Sequence, residues 1–306
     1  MGAELTVELA GQLRAAGLDP DEITRIAAAA LAEDLAGGTD VTTEATIPPG
    51  TTARADVVAR ADGVVAGLPV AAAVFGVAAA DQPLSACARV ADGDRVGRGD
   101  VLMTVSGPAA AALTAERTAL NLLCHLSGVA TLTRRWVDAV AGTGARIRDT
   151  RKTLPGLRAL QKYAVRCGGG VNHRMSLSDA ALVKDNHVAA AGSVAAAFAA
   201  VSARSGGLPV EVECDTLAQV AEAVEAGAGL ILLDNFGIGE MADAVALVAG
   251  RALLEASGGL TLRQARDVAA TGVDYLAVGA LTHSAPALDI ALDLAEGGMI
   301  TGVPCC

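Results

Sequence analysis

Hydrophobic and polar positions change their spacing twice along the 306-residue chain. In the first third, leucines and isoleucines recur at helical spacing, and Asp19 followed by Pro20 is a typical start signal for the second of two amphipathic helices. Between residues 51 and 105, short valine-rich runs alternate with turn clusters, which predicts a small antiparallel sheet. A continuous helical pattern over residues 108–140 follows, and we expect this helix to bridge two domains.

The second half of the chain reads as six successive βα units. Short apolar runs alternate with helix-like segments, and this alternation is typical of a parallel sheet. The predicted strands are 146–149, 181–184, 209–213, 230–234, 253–255 and 275–278, and the predicted helices are 154–165, 194–203, 217–226, 240–248 and 262–270.

Functional-looking residues stand at the end of nearly every predicted strand. Asp149, Lys184, Glu213 and Asp234 occupy four of these ends. A parallel barrel brings strand ends to one mouth, where barrel active sites lie, whereas an open doubly wound sheet spreads them along an edge. The pattern therefore favours an α/β fold with a parallel barrel, complete or incomplete, after a β-rich first domain.

Charge is distributed unevenly along the chain. The formal net charge is −11, yet residues 148–187 hold eight Lys or Arg against three acids. A concave cationic patch in an acidic protein attracts a small anion, whereas duplex nucleic acid requires an extended basic face. We therefore expect a small anionic partner and no nucleic acid. The candidate anion-binding cations are Arg151, Lys152, Arg174 and Lys184. The cations at helical spacing, expected on a solvated helix face, are Arg158, Lys162 and Arg166.

Composition also limits the location of the protein. The alanine-rich apolar stretches are too short and too weakly apolar for a membrane span of about 20 residues. The N-terminal segment lacks the basic and apolar regions of a secretory signal. Six cysteines without CxxC spacing predict reduced thiols rather than a zinc site, and the adjacent Cys305 and Cys306 suggest no function. We expect a cytoplasmic protein without membrane association.

Two glycine-rich loops follow the last two predicted strands. Ser257, Gly258, Gly259 and Gly279 allow the close backbone approach that a phosphate needs. Glycine-rich turns are equally common without a ligand, so this signal alone leaves both interpretations open.

Two acids end neighbouring predicted strands. Glu213 and Asp234 suit Mg²⁺ or ribose hydroxyls, or else they pair with Lys152 or Lys184 in a structural network. His173 is a candidate general acid, or else a hydrogen-bond donor to a phosphate. The residues thus indicate a barrel enzyme for a phosphorylated, multiply anionic substrate, but they do not name its reaction.

The sequence resembles the quinolinate phosphoribosyltransferase family, also called nicotinate-nucleotide pyrophosphorylase (carboxylating). The resemblance rests on family-specific segments in the family's order: EDLAGGTDVTTEAT from Glu33, AERTALNLLCHLSGVAT from Ala115, DTRKTLPGLRALQKYAVRCGGGVNHR from Asp149, LVKDNH from Leu182, VEVEC from Val210, LLDNF from Leu232, EASGG from Glu255 and DYLAVGALTHS from Asp274. It implies an N-terminal α/β sandwich domain over residues 1–128, with residues 285–306 packing back on it. An incomplete, TIM-like parallel barrel over residues 129–284 then carries the active site.

The resemblance also implies an activity. Members transfer a phosphoribosyl group from phosphoribosyl pyrophosphate to quinolinate with decarboxylation, in NAD biosynthesis, and the products are nicotinate mononucleotide, pyrophosphate and CO₂. They work as homodimers or multiples of dimers, with Mg²⁺ arriving on the phosphoribosyl pyrophosphate near Glu213 and Asp234 and no dedicated metal site. The implied substrate-binding residues are Arg117, donated across the dimer interface, and Thr150, Arg151, Lys152, His173, Arg174, Lys184, Glu213, Asp234, Ser257, Gly258, Gly259, Val278, Gly279, Ala280 and His283. The implied catalytic residues are Lys152, Glu213 and Asp234.

Three alternatives share part of the pattern. A paralogous family associated with molybdate-uptake operons has the same fold, but the complete TRK, NHR and KDNH set favours the biosynthetic enzyme. A non-catalytic protein that binds an anionic metabolite would explain the β-rich domain but not the acids Glu213 and Asp234 together with the cations. A barrel isomerase for a phosphorylated sugar would share the glycine loops without needing so many arginines.

Overall fold

The computed structural model describes residues 5–80 and 82–301, with side chains up to residue 295. Cys305 and Cys306 lie outside the described residues. The chain divides into two compact units. The first contains the described residues up to Thr131, then Ala159–Gly168 and the described residues from Ala285 on, and the second contains Leu132–Arg158 and Gly169–Ser284.

Helices and strands alternate through most of the described chain. The helices are α1 Val7–Ala15, α2 Pro20–Leu35, α3 Val41–Thr46, α4 Leu68–Ala79, α5 Ala109–Ala139, α6 Arg158–Cys167, α7 Asp185–Ala191, α8 Val194–Ser202, α9 Leu217–Glu225, α10 Ile238–Val248, α11 Ala265–Ala270 and α12 Ala280–His283. The strands are β1 Thr51–Ala59, β2 Gly63–Val64, β3 Ser85–Ala88, β4 Arg95–Val96, β5 Val101–Pro108, β6 Arg146–Arg148, β7 Ala181–Val183, β8 Val210–Cys214, β9 Leu230–Asp234, β10 Leu253–Ser257, β11 Tyr275–Ala277 and β12 Ile290–Thr301. Among the described helices, none combines the length and apolarity that crossing a membrane requires.

The first unit is built on an antiparallel sheet with the strand order β12-β1-β5-β3. β1 pairs with both β12 and β5, so the last described strand joins one of the first. The core contains Phe75 from α4, Leu102 from β5 and Leu120 from α5, all of them fully or almost fully buried. The predicted antiparallel sheet is therefore present, although β12 was not predicted as a strand.

One helix interrupts the region that the valine pattern assigned entirely to strands. α4 begins after Gly67, which has a left-handed φ of 103°. The carboxylate of Asp92 accepts hydrogen bonds from the backbone N–H groups of Gly67 and Leu68, and so satisfies donors at the start of the helix. The alanine-rich sequence after Leu68 has high helix propensity, and this preference outweighs the local valine pattern.

The second unit is a six-stranded parallel sheet with the order β6-β11-β10-β9-β8-β7. β6 and β7, the first two strands of this unit in the sequence, are the two edges of the described sheet, and its order leaves them unpaired with each other. Residues at the C-terminal ends of all six strands nevertheless line one cavity, which requires a strongly curved sheet. The unit is therefore an incomplete parallel α/β barrel that is open between β6 and β7, as the sequence predicted.

Some boundaries in the second half of the chain differ from the prediction. α6 begins at Arg158 rather than at residue 154, because Pro155 and Gly156 form a turn in which Leu157 N–H donates to Leu154 O. α7 was not predicted, because seven residues are too few to show a helical period. The six predicted strands are all present, with small differences at their ends.

The prediction that Lys162 lies on a solvated helix face is wrong. Lys162 is fully buried, and every residue of α6 from Leu160 to Val165 is buried with it, because this part of the helix is enclosed on all sides. Arg166 is exposed as expected, and it donates to Ala16 O over 2.6 Å. Arg158 is half-buried and donates to Thr153 Oγ1 and Met175 O, so it holds a loop rather than facing solvent.

Candidate active site

A cavity of about 380 Å³ lies at the C-terminal ends of the six barrel strands. We call it the mouth cavity. Most of its lining consists of residues that the sequence predicted for the site. The predicted ones are Thr150, Arg151, Lys152, His173, Arg174, Lys184, Glu213, Asp234 and Ser257, and the others are Leu182, Leu232, Glu255 and Ala277.

The loop after β6 is held by a buried aspartate. Asp149 is fully buried, and its Oδ1 accepts the backbone N–H of His173 over 2.8 Å while its Oδ2 accepts Nδ2 of Asn172 over 2.5 Å. Next to it, Thr150 Oγ1 accepts the N–H of Lys152, and Thr282 Oγ1 donates to Lys152 O. These bonds fix the backbone that carries Arg151 and Lys152 at the rim of the cavity.

Two guanidinium groups lie close together on one side of the cavity. Arg174 donates through Nη1 to Ala180 O over 2.9 Å, and Nε of Arg151 is buried without a hydrogen-bond partner in the described part of the chain. Burial, and next the like charge of Arg151, lower the pKa of Arg174. Two neighbouring cations, of which Arg151 has a buried donor without a hydrogen-bond partner, are costly unless an anion binds between them, so this pair is suited to a carboxylate.

Carboxylates also line the cavity. Lys184 Nζ lies 2.6 Å from Glu213 Oε2. Of the two interpretations that the sequence allowed for Glu213, an ion pair with a lysine is therefore the one seen in this structure. Asp234 Oδ2 accepts Asn235 Nδ2 over 2.7 Å. Four cations line the cavity wall against three carboxylic acids, and this excess favours an anion; the cations are Arg151, Lys152, Arg174 and Lys184, and the acids are Glu213, Asp234 and Glu255.

The loop after β10 depends on its glycines. Asn235 has a left-handed φ of 57°, and its N–H donates to Ser257 O over 3.0 Å. Gly258 has a φ of 92°, and a Cβ at this position would lie 2.2 Å from Asn235 Oδ1. Only glycine fits there, and this loop, half-buried at Ser257 and Gly258 and exposed at Gly259, leaves backbone groups that a ligand can contact closely.

The predicted residues after β11 lie beside the mouth cavity, not among its lining residues. A Cβ on Gly279 would come 2.9 Å from Lys152 Cδ and 3.3 Å from His283 Nε2, so this turn packs against the lysine. Val278 N–H donates to Arg148 O, and His283 Nδ1 is 2.6 Å from Ser284 Oγ. Gly258, Gly259 and Ala280 likewise flank the cavity without lining it.

Arg117 belongs to the first unit, where it is exposed on α5.

Sequence reasoning missed a buried ionic network beneath the mouth cavity. His173 Nε2 lies 2.8 Å from Glu211 Oε2 and 3.6 Å from Glu255 Oε1. Arg148 Nη1 lies 2.5 Å from Glu255 Oε2, and its guanidinium stacks 4.8 Å from the ring centre of Tyr275. A signal was present, because Glu211 stands two residues before Glu213 and strand periodicity puts both on the same face.

The two ring nitrogens of His173 are engaged inside the protein. Nδ1 accepts the backbone N–H of Arg174 over 2.7 Å, so Nδ1 carries no proton and Nε2–H donates to Glu211. His173 is therefore a neutral imidazole in this arrangement. It borders the mouth cavity, but both nitrogens are committed to these contacts.

A second, smaller cavity meets the same network from another side. It has a volume of about 200 Å³ and is bordered by His173, Arg174 and Glu211, whereas Glu255 borders the mouth cavity. The buried network therefore forms part of the wall of both cavities.

Cysteine thiols of the described residues are not suited to catalysis at this site. Cys214 ends β8 in the barrel core, and burial, with further contributions from nearby acids, raises the pKa of its thiol to about 12. Such a thiol stays protonated and is a poor nucleophile. The described cysteines are free thiols, in agreement with the expectation of reduced cysteines.

Comparisons with known proteins agree along most of the chain. Family models described as the N-terminal and C-terminal domains of quinolinate phosphoribosyl transferase match residues 40–127 and 129–293. The carboxylating nicotinate-nucleotide pyrophosphorylase of Mycobacterium leprae is 56% identical over 268 residues, which cover 87% of this chain and 94% of that protein.

Solved structures show the same similarity. The crystal structure of NadC from Streptococcus pyogenes is 40% identical, covers 91% of this chain and 99% of its own, and has a TM-score of 0.85. The nicotinate-nucleotide pyrophosphorylase from Francisella tularensis is 35% identical, covers 90% and 96%, and has a TM-score of 0.84.

Proposed function

The chain belongs to the quinolinate phosphoribosyltransferase family, and from this premise we propose that it converts quinolinate and phosphoribosyl pyrophosphate into nicotinate mononucleotide, pyrophosphate and CO₂. The observation that carries the proposal is the mouth cavity, which is lined both by Arg151 and Arg174 and by Glu213 and Asp234. The two arginines, which we call the cationic side, suit a dicarboxylate, and the two acids, which we call the acidic side, suit a ribose with its phosphates.

Quinolinate binding is assigned to the cationic side. Its two carboxylates accept hydrogen bonds from Arg151 and Arg174, which supply a partner for Arg151 Nε and relieve the repulsion between the two guanidiniums. His173 orients the backbone of Arg174 through its Nδ1 contact. Arg117 completes the pocket from the partner subunit of a homodimer, and its exposure on α5 leaves the guanidinium available for such a contact.

Phosphoribosyl pyrophosphate is assigned to the acidic side and to the glycine loops. Lys184 contacts the pyrophosphate, and the backbones of Ser257–Gly259 and Val278–Ala280, with Thr150 and His283 beside them, hold the 5-phosphate. Glu213 and Asp234 bind the ribose hydroxyls. These two carboxylates also fit Mg²⁺, which is usually held by one or two carboxylates together with substrate phosphates. When bound there, Mg²⁺ neutralises charge on the leaving pyrophosphate.

The transfer step follows from this placement. The ring nitrogen of quinolinate attacks the anomeric carbon while the bond from that carbon to pyrophosphate breaks, through an oxocarbenium-like transition state. Glu213 and Asp234 stabilise the developing positive charge on the ribose, and Arg151 and Arg174 hold the ring in line. Lys152 stands at the rim between the two ligands and stabilises the negative charge that moves between them.

Decarboxylation then follows on the nucleotide. The carboxylate next to the ring nitrogen leaves as CO₂, the electron pair stays on that ring carbon beside the cationic nitrogen that stabilises it, and a proton takes the place of the carboxylate. For this reason no organic cofactor is assigned to the reaction. The complete TRK, NHR and KDNH set and the high identity to a carboxylating relative favour this activity over that of the paralogous family or of a non-catalytic binding protein.

The function is tested by mixing the purified protein with quinolinate, phosphoribosyl pyrophosphate and Mg²⁺ and measuring products. We expect nicotinate mononucleotide, pyrophosphate and CO₂ in equal amounts. A matched reaction with nicotinate, which lacks one carboxylate, should give little product because one arginine contact is lost. Absence of product from quinolinate, or equal rates with nicotinate, would contradict the proposal.

A further inference from the structure

We propose that Glu255 is the acid that supplies the proton replacing the departing carboxylate during decarboxylation. This assignment rests on the proposed function and adds a step to it. It is carried by the position of Glu255 at the wall of the mouth cavity and by the unequal engagement of its two carboxylate oxygens.

The carboxyl group of Glu255 is oriented from one side only. Its side chain is fully buried, and Oε2 is held by Arg148, which is itself stacked on Tyr275. Oε1 has no hydrogen-bond partner among the described residues, and His173 Nε2 lies 3.6 Å from it. One oxygen is therefore fixed by Arg148, and the other is buried at the cavity wall without a hydrogen-bond partner, where it can carry a proton.

The charges around this group favour such a proton. Glu211, Arg148 and His173 face Glu255, and the charge of Arg174 acts on Glu211. Arg148 pairs with Glu255, while the imidazole of His173 lies between the two carboxylates. Two carboxylates buried close together repel each other, and their burial favours a proton on one of them over a second negative charge.

The titration of Glu255 agrees with this arrangement of charges. Burial, and next the charge of Glu211, raise its pKa to about 7, while the charge of Arg148 opposes the rise. An acid that titrates near pH 7 is well matched to proton transfer at neutral pH.

The same three side chains could in principle hold a metal ion, because ligand atoms of His173, Glu211 and Glu255 lie within 4.8 Å of one another. Their contacts argue against this role. Oε2 of Glu211 is engaged by His173, and Oε2 of Glu255 is engaged by Arg148, which brings a positive charge to the position of a cation. The two carboxylates of this network are therefore better suited to share one proton than to bind a metal ion.

The proposed step balances as follows. The bond between the ring carbon next to nitrogen and its carboxylate breaks as the proton of Glu255 moves to that carbon, so CO₂ release and C–H bond formation occur in one step. The electron pair of the broken bond forms the new C–H bond, and Glu255 is left as a carboxylate. Water then returns a proton to Glu255 before the next turnover, so the solvent is the net proton source.

The test separates the two chemical steps in the variant Glu255→Gln. Phosphoribosyl transfer does not need an acid at this position, so we expect pyrophosphate release within a few-fold of wild type in a single turnover. CO₂ release should slow by ~10²–10³-fold, the usual contribution of a general acid. Quinolinate mononucleotide should then accumulate and be detectable by mass spectrometry.

The control is Glu213→Gln, which should slow pyrophosphate and CO₂ release together because it acts on the first step. CO₂ release in step with pyrophosphate in the Glu255→Gln protein would overturn the assignment. A wild-type protein that releases neither product would instead reject the proposed function itself.

A measurement on the wild-type protein keeps the assignment testable if Glu255→Gln does not fold. Glu255 donates only when protonated, so the single-turnover rate of CO₂ release should fall as pH rises through its pKa of about 7. Pyrophosphate release measured in the same samples should not follow this profile. A CO₂ release rate that stays constant, or rises, across this range would overturn the assignment.

Discussion

The Asp234→Asn protein is expected to lose ~10²–10³-fold in kcat/KM for phosphoribosyl pyrophosphate, the usual cost of removing one group that stabilises transition-state charge. Asp234 ends β9 at the wall of the mouth cavity, and we propose that its carboxylate binds ribose hydroxyls and Mg²⁺. Asparagine keeps the shape of the side chain but removes the negative charge. Steady-state kinetics at several Mg²⁺ concentrations measure the effect.

The matched control for this change is Asp243→Asn. Asp243 lies exposed on α10, away from the residues that line the cavity, so its replacement should leave the kinetic constants unchanged. The KM for quinolinate should also change little in the Asp234→Asn protein, because the arginine side is intact. Wild-type kcat/KM for phosphoribosyl pyrophosphate in that protein would show that Asp234 has no part in the reaction.

Mixing two inactive variants is expected to restore activity. Arg117→Ala and Lys152→Ala should each be nearly inactive, because each homodimer lacks one component in both of its sites. After subunit exchange, a hybrid dimer contains one site with Arg117 from one subunit and Lys152 from the other, and one site with neither. Random exchange of equal amounts should therefore give about a quarter of wild-type activity in a symmetric dimer.

Exchange has to be verified independently, for example by mass spectrometry of the mixed dimers. A mixture of Lys152→Ala with a second variant of the same subunit site, Arg174→Ala, is the matched control, because every hybrid site then lacks one of the two residues. Hybrid dimers that form without any recovery of activity would contradict a site shared between subunits. Recovery in the control mixture would contradict the assignment of Lys152 and Arg174 to one subunit.

Regular periodicity in the sequence was sufficient to predict the barrel. The alternation of apolar runs and helical patterns predicted β9 at its observed bounds, and the polar residues after each strand indicated a common mouth. The same reasoning failed for α4, because an apolar run without polar positions shows no periodicity that distinguishes a buried strand from a buried helix. It also failed for β12, whose pairing with β1 joins residues far apart in the sequence.

The candidate site was predicted only in part. Residues such as Lys184 and Glu213 follow or end short strands, and the sequence placed them correctly at the mouth. Glu211 and Arg148 lie within strands, and the sequence does not show that Glu211 contacts His173 or that Arg148 pairs with Glu255, because these partners come from distant parts of the chain. The burial of Lys162 could not be foreseen either, because helical spacing alone does not show which faces of a helix are covered.

The most direct test of this account is a crystal structure of the protein with bound quinolinate. We predict that the ring lies in the mouth cavity with its carboxylates on Arg151 and Arg174, and with Arg117 of a partner subunit beside it. The ring nitrogen should face the side that carries Glu213 and Asp234. Quinolinate bound outside this cavity, or bound in it without contact to either arginine, would contradict the account.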